Sequence, residues 1–174
     1  MKPLRLLAAL ACSLFVSACW NLSVGPSSPR PNILLTADKT PARLVMGPAV
    51  KNEFTIPDTA SVNEVPVRGW RVTLEYGFRN AFPQATSGRT LELIEAELSF
   101  GPAAVGRGGT AAVVGAIRFK ARVLDASGAE VGALAGTATA REANTSASEE
   151  GMTRNAQLAV EALYEKVAAE LLIK

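Results

Sequence analysis

The amino-acid sequence predicts an α+β fold, a two-layer sandwich in which two helices cover one face of a mostly antiparallel sheet of about four strands. Two patterns carry this prediction. Within 112–124, apolar and basic residues alternate from Ile117 to Val123, and turn residues and a second strand pattern follow, which together indicate a hairpin. The chain then closes with a long amphipathic helical pattern.

The expected domain begins with a strand. Short apolar runs bounded by Pro and Gly are more typical of strands than of helices. We therefore interpret residues 43–50 as the first strand, continuing after a kink through Phe54 and Ile56. Residues 57–66 are expected to form a polar loop.

Residues 65–82 fit a strand and a helix equally well as a local pattern. Alternate residues from Trp70 to Phe78 are apolar, which is typical of a strand. An apolar stripe with helical spacing is also present, formed by Val67, Trp70, Leu74, Phe78 and Ala81. Pro66 suits the start of a helix and Pro83 its end. We choose the helix because the sheet needs a second helix on its covered face.

Three strands are expected next, over 89–100, 112–124 and 131–141. For the first of them a helix is the main alternative, since Leu, Glu and Ala all favour helix. Strict alternation in the first of them places Glu95 and Glu97 on one face and Glu92 on the other. The middle strand carries three basic residues on one face: Arg118, Lys120 and Arg122. On neighbouring antiparallel strands these cations can pair with Glu95 and Glu97.

The last helix has clear end signals. Ser148 is a suitable N-cap, and Glu149 and Glu150 lie where the helix dipole favours acids, while Lys174 lies near the opposite end. One wide apolar stripe faces the expected sheet: Met152, Ala156, Ala159, Val160, Leu163, Val167 and Leu171. We expect Arg154, Glu161 and Glu165 on the solvent side.

The N-terminus has the pattern of an export signal. Lys2 and Arg5 precede an apolar run from Leu6 to Val16, too short to span a bilayer comfortably. The sequence Val-Ser-Ala-Cys at 16–19 resembles the bacterial lipobox, in which the cysteine becomes the acylated first residue. This resemblance implies lipidation at Cys19 and attachment to a membrane through that lipid.

Three regions follow from the lipobox: a signal peptide over 1–18, an acylated Cys with a Pro/Ser-rich spacer over 19–31, and one α+β domain over 32–174. Residue 20 is Trp rather than Asp. By resemblance to lipoprotein sorting in Gram-negative bacteria, this implies the outer membrane, with the domain facing the periplasm. Trp20 suits the membrane interface, and Cys12 leaves with the signal.

Composition excludes several kinds of activity. The chain has no His, which removes His-based triads and His-ligated metals. Of its 18 basic residues, Lys2 and Arg5 lie in the signal, so 16 basic and 16 acidic residues remain in the rest. Nucleic-acid binding is therefore not expected. The glycines between 101 and 109 lead into a strand rather than a helix, unlike a phosphate-binding loop.

No residue is assigned a catalytic, cofactor-binding or metal-binding role, and we expect no enzyme activity. Two surfaces are candidates for interaction. The first is the basic strip Arg118, Lys120 and Arg122, which could instead only pair with neighbouring glutamates. The second is the side of the helix over 65–82 that carries Val72, Tyr76 and Arg79, away from its apolar stripe.

The lipobox, spacer, order of elements and closing helix resemble small outer-membrane lipoproteins of the LPS-assembly-lipoprotein-like or transport-auxiliary-like kind. The segment VRGWRVTLEYGFRNAF also resembles one found in lipoproteins that include myxobacterial examples. The resemblance implies a non-catalytic binding, assembly or transport-auxiliary component of the cell envelope, with an envelope protein as partner. Two alternatives remain open: a lipid-binding chaperone, which requires an apolar cavity between helices and sheet, and a periplasmic hydrolase.

Overall fold

The computed structural model describes residues 22–57, 64–84, 86–103, 112–143 and 148–172. The expected signal peptide, Cys19, Trp20, most of the glycine-rich connection and Lys174 lie outside these ranges. The strands within them are β1 Arg43–Met46, β2 Phe54–Pro57, β3 Glu64–Val67, β4 Thr90–Ala103, β5 Ala112–Leu124 and β6 Glu130–Thr139. The helices are α1 Trp70–Ala81 and α2 Glu149–Val167, which ends in a π turn over Ala168–Leu172.

The α+β prediction is confirmed. Four strands form a sheet in the order β1-β4-β5-β6, and two helices pack against it. The pairs β4–β5 and β5–β6 are antiparallel, while β1 runs parallel to β4. Apolar residues of β4 and β5 that face the helices are almost fully buried, among them Leu91, Leu93, Ile117 and Phe119. Burying this surface on one face is what holds the helices to the sheet.

A second, two-stranded sheet was not expected. β2 pairs with β3 in antiparallel register, from Phe54 opposite Val67 to Pro57 opposite Glu64. The prediction of one strand over 43–50 that continues through Ile56 was therefore wrong. β1 ends at Met46, and the chain turns at Pro48 and Ala49 before β2 begins.

The helix predicted within 65–82 is confirmed for Trp70–Ala81 but begins later than expected. Pro66 lies in β3 and not at a helix start. Gly69 is the N-cap, with a φ of 65° that favours glycine. Helical spacing places Trp70, Leu74 and Phe78 on the buried side, whereas a strand would have divided the same apolar residues between both faces of a sheet.

The remaining elements agree with the sequence to within a few residues. β5 has the predicted bounds, and β6 begins one residue earlier and ends two residues earlier than expected. Ser148 caps α2, its side chain accepting a hydrogen bond from the amide of Gly151 at 3.1 Å. The predicted stripe of α2 is buried from Met152 to Val167, and Leu171 is half-buried in the π turn.

Two acidic residues of α2, Glu161 and Glu165, were predicted on the solvent side but are buried and half-buried. Glu161 is only 8% exposed, and Glu165 is half-buried. Both lie beneath residues 22–33, an extended segment laid along the two helices. The free spacer expected over 19–31 is thus docked on the domain in its described part, 22–31. Its prolines Pro29 and Pro31 are buried rather than solvated.

Candidate functional site

The open face of the sheet carries a ladder of ion pairs between β4 and β5. The side chain of Arg118 pairs with Glu97, Lys120 Nζ lies 2.7 Å from Glu95 Oε1, and Arg122 Nε lies 2.7 Å from Glu92 Oε2. These residues alternate along β5 with the buried Ile117, Phe119, Ala121 and Val123. The ladder therefore lies on the face that the helices do not cover.

A β-bulge brings the third pair into the ladder. Leu93 is opposite Ala121 and Glu95 is opposite Lys120, so Ile94 is the extra residue of β4. One extra residue reverses the alternation along a strand, which places Glu92 on the same face as Glu95 and Glu97. The expectation that Glu92 faces the other way was wrong, because it assumed an uninterrupted alternation.

The ladder is electrically balanced. A hydrogen bond from Arg118 to Glu97 raises the pKa of Arg118, and the hydrogen bond to Glu92 does the same for the pKa of Arg122. Arg122 also approaches Glu130 of β6 at 3.5 Å. Each of the three cations predicted to form a basic strip thus has a carboxylate partner, and the face presents paired charges rather than a positive surface.

The second candidate surface is the outer side of α1. Tyr76 is 45% exposed and Val72 40% exposed, and Arg79 pairs with Glu75 one turn away. These side chains belong to the helix layer, whereas the ladder lies on the opposite side of the sheet. The structure therefore does not bring the six predicted interaction residues together. It divides them between two separate surfaces.

A groove beside β4 is a feature that the sequence did not reveal. It has a volume of about 340 Å³, and its walls include Phe54 and Ile56 of β2 and Leu98 and Phe100 of β4. The groove exists because β1 pairs only with residues 90–93, whereas β4 continues to Ala103. The sequence predicts a longer first strand, over 43–50, and so gives no sign that this part of β4 is left unpaired by β1.

The interface between the helices and the sheet is packed. Leu74, Tyr164 and Leu163 are 0% exposed, and the Tyr164 hydroxyl donates to the carbonyl of Leu74 at 2.7 Å. A Cβ added at Gly77 of α1 would lie 2.8 Å from Tyr164 and from Val160 of α2. The apolar cavity that a lipid-binding chaperone requires does not lie at these residues, and the groove at β4 is at the edge of the sheet instead.

No group of three or more Asp, Glu, Cys or His side chains placed to hold a metal ion occurs in the described ranges. Among the same residues, no helix combines the length and apolar character needed to cross a bilayer. The predicted lipidation residue, Cys19, precedes the first described residue, Leu22.

No protein-family model and no functionally curated protein matches the chain by sequence. Among solved structures, the chain is similar to a Xanthomonas campestris protein assigned to the family model DUF330, with a TM-score of 0.52 and 12% identity over 87% of this chain and 95% of that chain. A minor lipoprotein from Acinetobacter baumannii aligns with a TM-score of 0.41 and 10% identity over 80% of this chain and 94% of that one. The chain thus shares the fold of the Xanthomonas protein.

Proposed function

We propose that this chain is a lipid-anchored lipoprotein of the Gram-negative cell envelope, held at the periplasmic face of the outer membrane. In this proposal it acts without catalysis, as a binding, assembly or transport-auxiliary component. The observation that carries the proposal is the lipobox ending at Cys19, preceded by a charged start and an apolar run of signal length.

Acylation explains how a domain of this kind stays on a membrane. A single acyl chain gives marginal, reversible attachment, and stable anchoring needs a second signal. The two or more chains typical of bacterial lipoproteins would supply it. After processing, the sulfur of Cys19 is held in a thioether, so the mature chain has no free thiol for redox or metal chemistry.

The outer side of α1 is the surface that best fits a protein partner. This side of α1 presents an exposed aliphatic residue, an aromatic residue and an arginine: Val72, Tyr76 and Arg79. Aromatic residues and arginine are enriched in protein interfaces. The ladder residues fit less well, because their charges already satisfy one another. A partner contacting α1 would be bound by short-range contacts.

Metabolic labelling with palmitate tests the anchor. Native protein and a Cys12→Ala variant should both take up label, because Cys12 leaves with the signal. A Cys19→Ala variant should not be labelled, and globomycin should make the unprocessed precursor of the native protein accumulate. Label that persists in the Cys19→Ala variant, or native protein without label, would contradict the proposal.

Affinity capture from native envelope membranes tests the binding role. Native protein should retain a consistent envelope partner, and Val72→Asp with Tyr76→Asp should lose it, since both substitutions place charge on an apolar contact surface. Density fractionation of the same membranes should find the protein with the outer membrane. Repeated capture without any partner would count against an assembly role.

A further inference from the structure

The strap, defined as residues 22–33, is built into the fold by contacts with both helices and with β3. Val24 forms a parallel bridge with Val67, its amide donating to Pro66 O and its carbonyl accepting from Arg68 N, both at 2.9 Å. Val24 is only 2% exposed and belongs to the core. The strap therefore begins with a one-residue bridge to the small sheet.

Beyond Val24, side chains of the helices accept four backbone N–H groups of the strap. On α2, Gly25 N donates to Thr153 Oγ1 at 3.2 Å, Arg30 N to Glu161 Oε1 at 3.0 Å and Asn32 N to Glu165 Oε1 at 2.9 Å. On α1, Ser27 N donates to Thr73 Oγ1 at 3.1 Å, and Asn80 Nδ2 donates to Pro29 O at 2.7 Å.

The prolines of the strap are compatible with its docked position against the helices. Pro29 and Pro31 have no N–H, so their burial leaves no donor unpaired. Pro26 rests on Gly69. A Cβ added at Gly69 would lie 2.5 Å from Pro26 Cγ, and the residue carrying it would have to adopt a φ of +65°. A glycine at the start of α1 thus leaves room for a proline of the strap.

The order of the contacts gives the direction of the strap. Its residues meet α2 in the order Thr153, Glu161, Glu165 and meet α1 in the order Thr73, Asn80. The strap is thus parallel to both helices, and Leu22 lies beside their N-terminal ends. The hairpin turn between β5 and β6, near Ala129, lies at the other end, beside the end of α2, since β6 packs against the π turn and a Cβ added at Gly132 would lie 3.3 Å from Leu171.

We propose that the strap fixes the domain against the membrane, with the N-terminal ends of α1 and α2 facing the lipid headgroups. This inference rests on the proposed acylation of Cys19. Three residue steps separate Cys19 from Leu22 and span at most about 10 Å. With the strap released, the chain from Cys19 to Ala42, which is fixed by its bond to Arg89 O, would span up to roughly 75 Å.

The end of the domain that would meet the membrane has the chemistry of a headgroup contact. Arg68, Glu149 and Arg154 are exposed there and mix both signs of charge. Ser23 Oγ, one residue into the strap, lies 2.7 Å from Glu149 Oε1. Such a surface can rest among zwitterionic and anionic headgroups without entering the hydrocarbon.

Energy transfer in vesicles tests the orientation. Acylated full-length protein with Arg154→Cys or Ala129→Cys is labelled at the new cysteine and placed in phosphatidylethanolamine–phosphatidylglycerol vesicles that carry an acceptor on the headgroups. Transfer from position 154 should exceed transfer from position 129. Protein that floats with the vesicles but gives equal transfer from both positions would overturn the orientation and leave the anchor intact.

Two strap variants complete the test. Val24→Asp should release the strap and abolish the difference in transfer between the two positions. Should that variant fail to fold, the combination Thr73→Val with Thr153→Val removes two acceptors at nearly constant volume and should reduce the difference. A folded variant whose strap amides have lost hydrogen-exchange protection, yet which keeps the full difference, would overturn the role of the strap. Protein that does not float at all would instead overturn the anchor.

Discussion

Tyr164 is the residue at which the two helices and the aromatic cluster meet. Its ring contacts Phe78 and Phe82 edge-on, with centroid distances of 6.3 and 6.0 Å, and its hydroxyl reaches the carbonyl of Leu74. Burial raises the pKa of Tyr164, and the negative charge of Glu75 raises it further. The folded state therefore holds this proton more tightly than the unfolded state does.

A prediction at the residue scale follows from this pKa. Because the folded-state value is the higher one, stability is fully present below about pH 10, the ordinary tyrosine value, and is lost as the pH rises above it. Tyr164→Phe should cost about 0.5–1.5 kcal/mol at neutral pH through the lost hydrogen bond. Its unfolding free energy should then decline less steeply than that of the native protein at alkaline pH.

Urea unfolding at a series of pH values from neutral to strongly alkaline measures both effects. Tyr76→Phe is the matched control, since Tyr76 is on the exposed side of α1. It should follow the pH dependence of the native protein. Parallel stability curves for the native protein and the Tyr164→Phe variant would contradict the role given to the buried hydroxyl.

Glu161 is a residue whose burial the helical periodicity of the sequence does not predict. On a helical wheel it lies away from the apolar stripe, and an acid there is ordinarily solvated. In the structure its carboxylate accepts the amide of Arg30 and the side-chain amide of Gln157, and the strap covers it. A contact between residues 131 positions apart cannot be found from the local sequence of either.

Among the elements, α1 is the one whose type the sequence left open. Both patterns over 65–82 were genuine, and the helix was chosen for its fit to the architecture. The structure realises the helical pattern: the residues that alternate from Trp70 to Phe78 lie in the helix Trp70–Ala81, and the strand Glu64–Val67 ends before that alternation begins. β4 differs from the prediction in its bulge, because a bulge is not visible in a run of residues that all suit a strand.

A prediction for the contact between the helices concerns Gly77. An alanine Cβ there would lie 2.8 Å from Tyr164 and Val160, so Gly77→Ala should force the helices apart. Overpacking of this kind costs about 1–3 kcal/mol, opposed by about 1 kcal/mol from the better helix propensity of alanine. We expect a net loss of unfolding free energy in urea titration.

Gly101→Ala is the control for this substitution. Gly101 has no atom within 4 Å of an added Cβ, and its change should stay within about 0.5 kcal/mol. A Gly77→Ala variant as stable as the native protein would show that the helices can separate without cost at this point.

At the scale of the whole molecule, basic and acidic residues balance one another, and the ladder is one place where they pair. Residues 19–174 contain 16 basic and 16 acidic residues, and the three cations of the ladder each have a carboxylate partner. Their side chains remain partly exposed, with 67% of Arg118 and 39% of Arg122 accessible to solvent. Pairs of this kind contribute little to stability and are screened by salt.

We therefore predict a small effect from removing the ladder cations. A triple variant should have a slightly lower melting temperature than the native protein in dilute buffer, and this difference in melting temperature should shrink in high salt. Its substitutions are Arg118→Ala, Lys120→Ala and Arg122→Ala. Capture of an envelope partner should be unchanged, in contrast to the α1 variants. Loss of the partner on removing the ladder would instead assign binding to the open face of the sheet.

The sequence by itself determined the α+β class, β5, most of β4 and the capped final helix, because each depends on residues near one another in the chain. Only the tertiary structure decided the start of α1, the second sheet, the face of Glu92 and the seating of the strap. These depend on partners distant in sequence. Pairing register, a one-residue bulge and the hydrogen bonds of a proline-rich segment to two helices are fixed by contacts between residues distant in the chain, and such contacts leave no pattern in the local sequence.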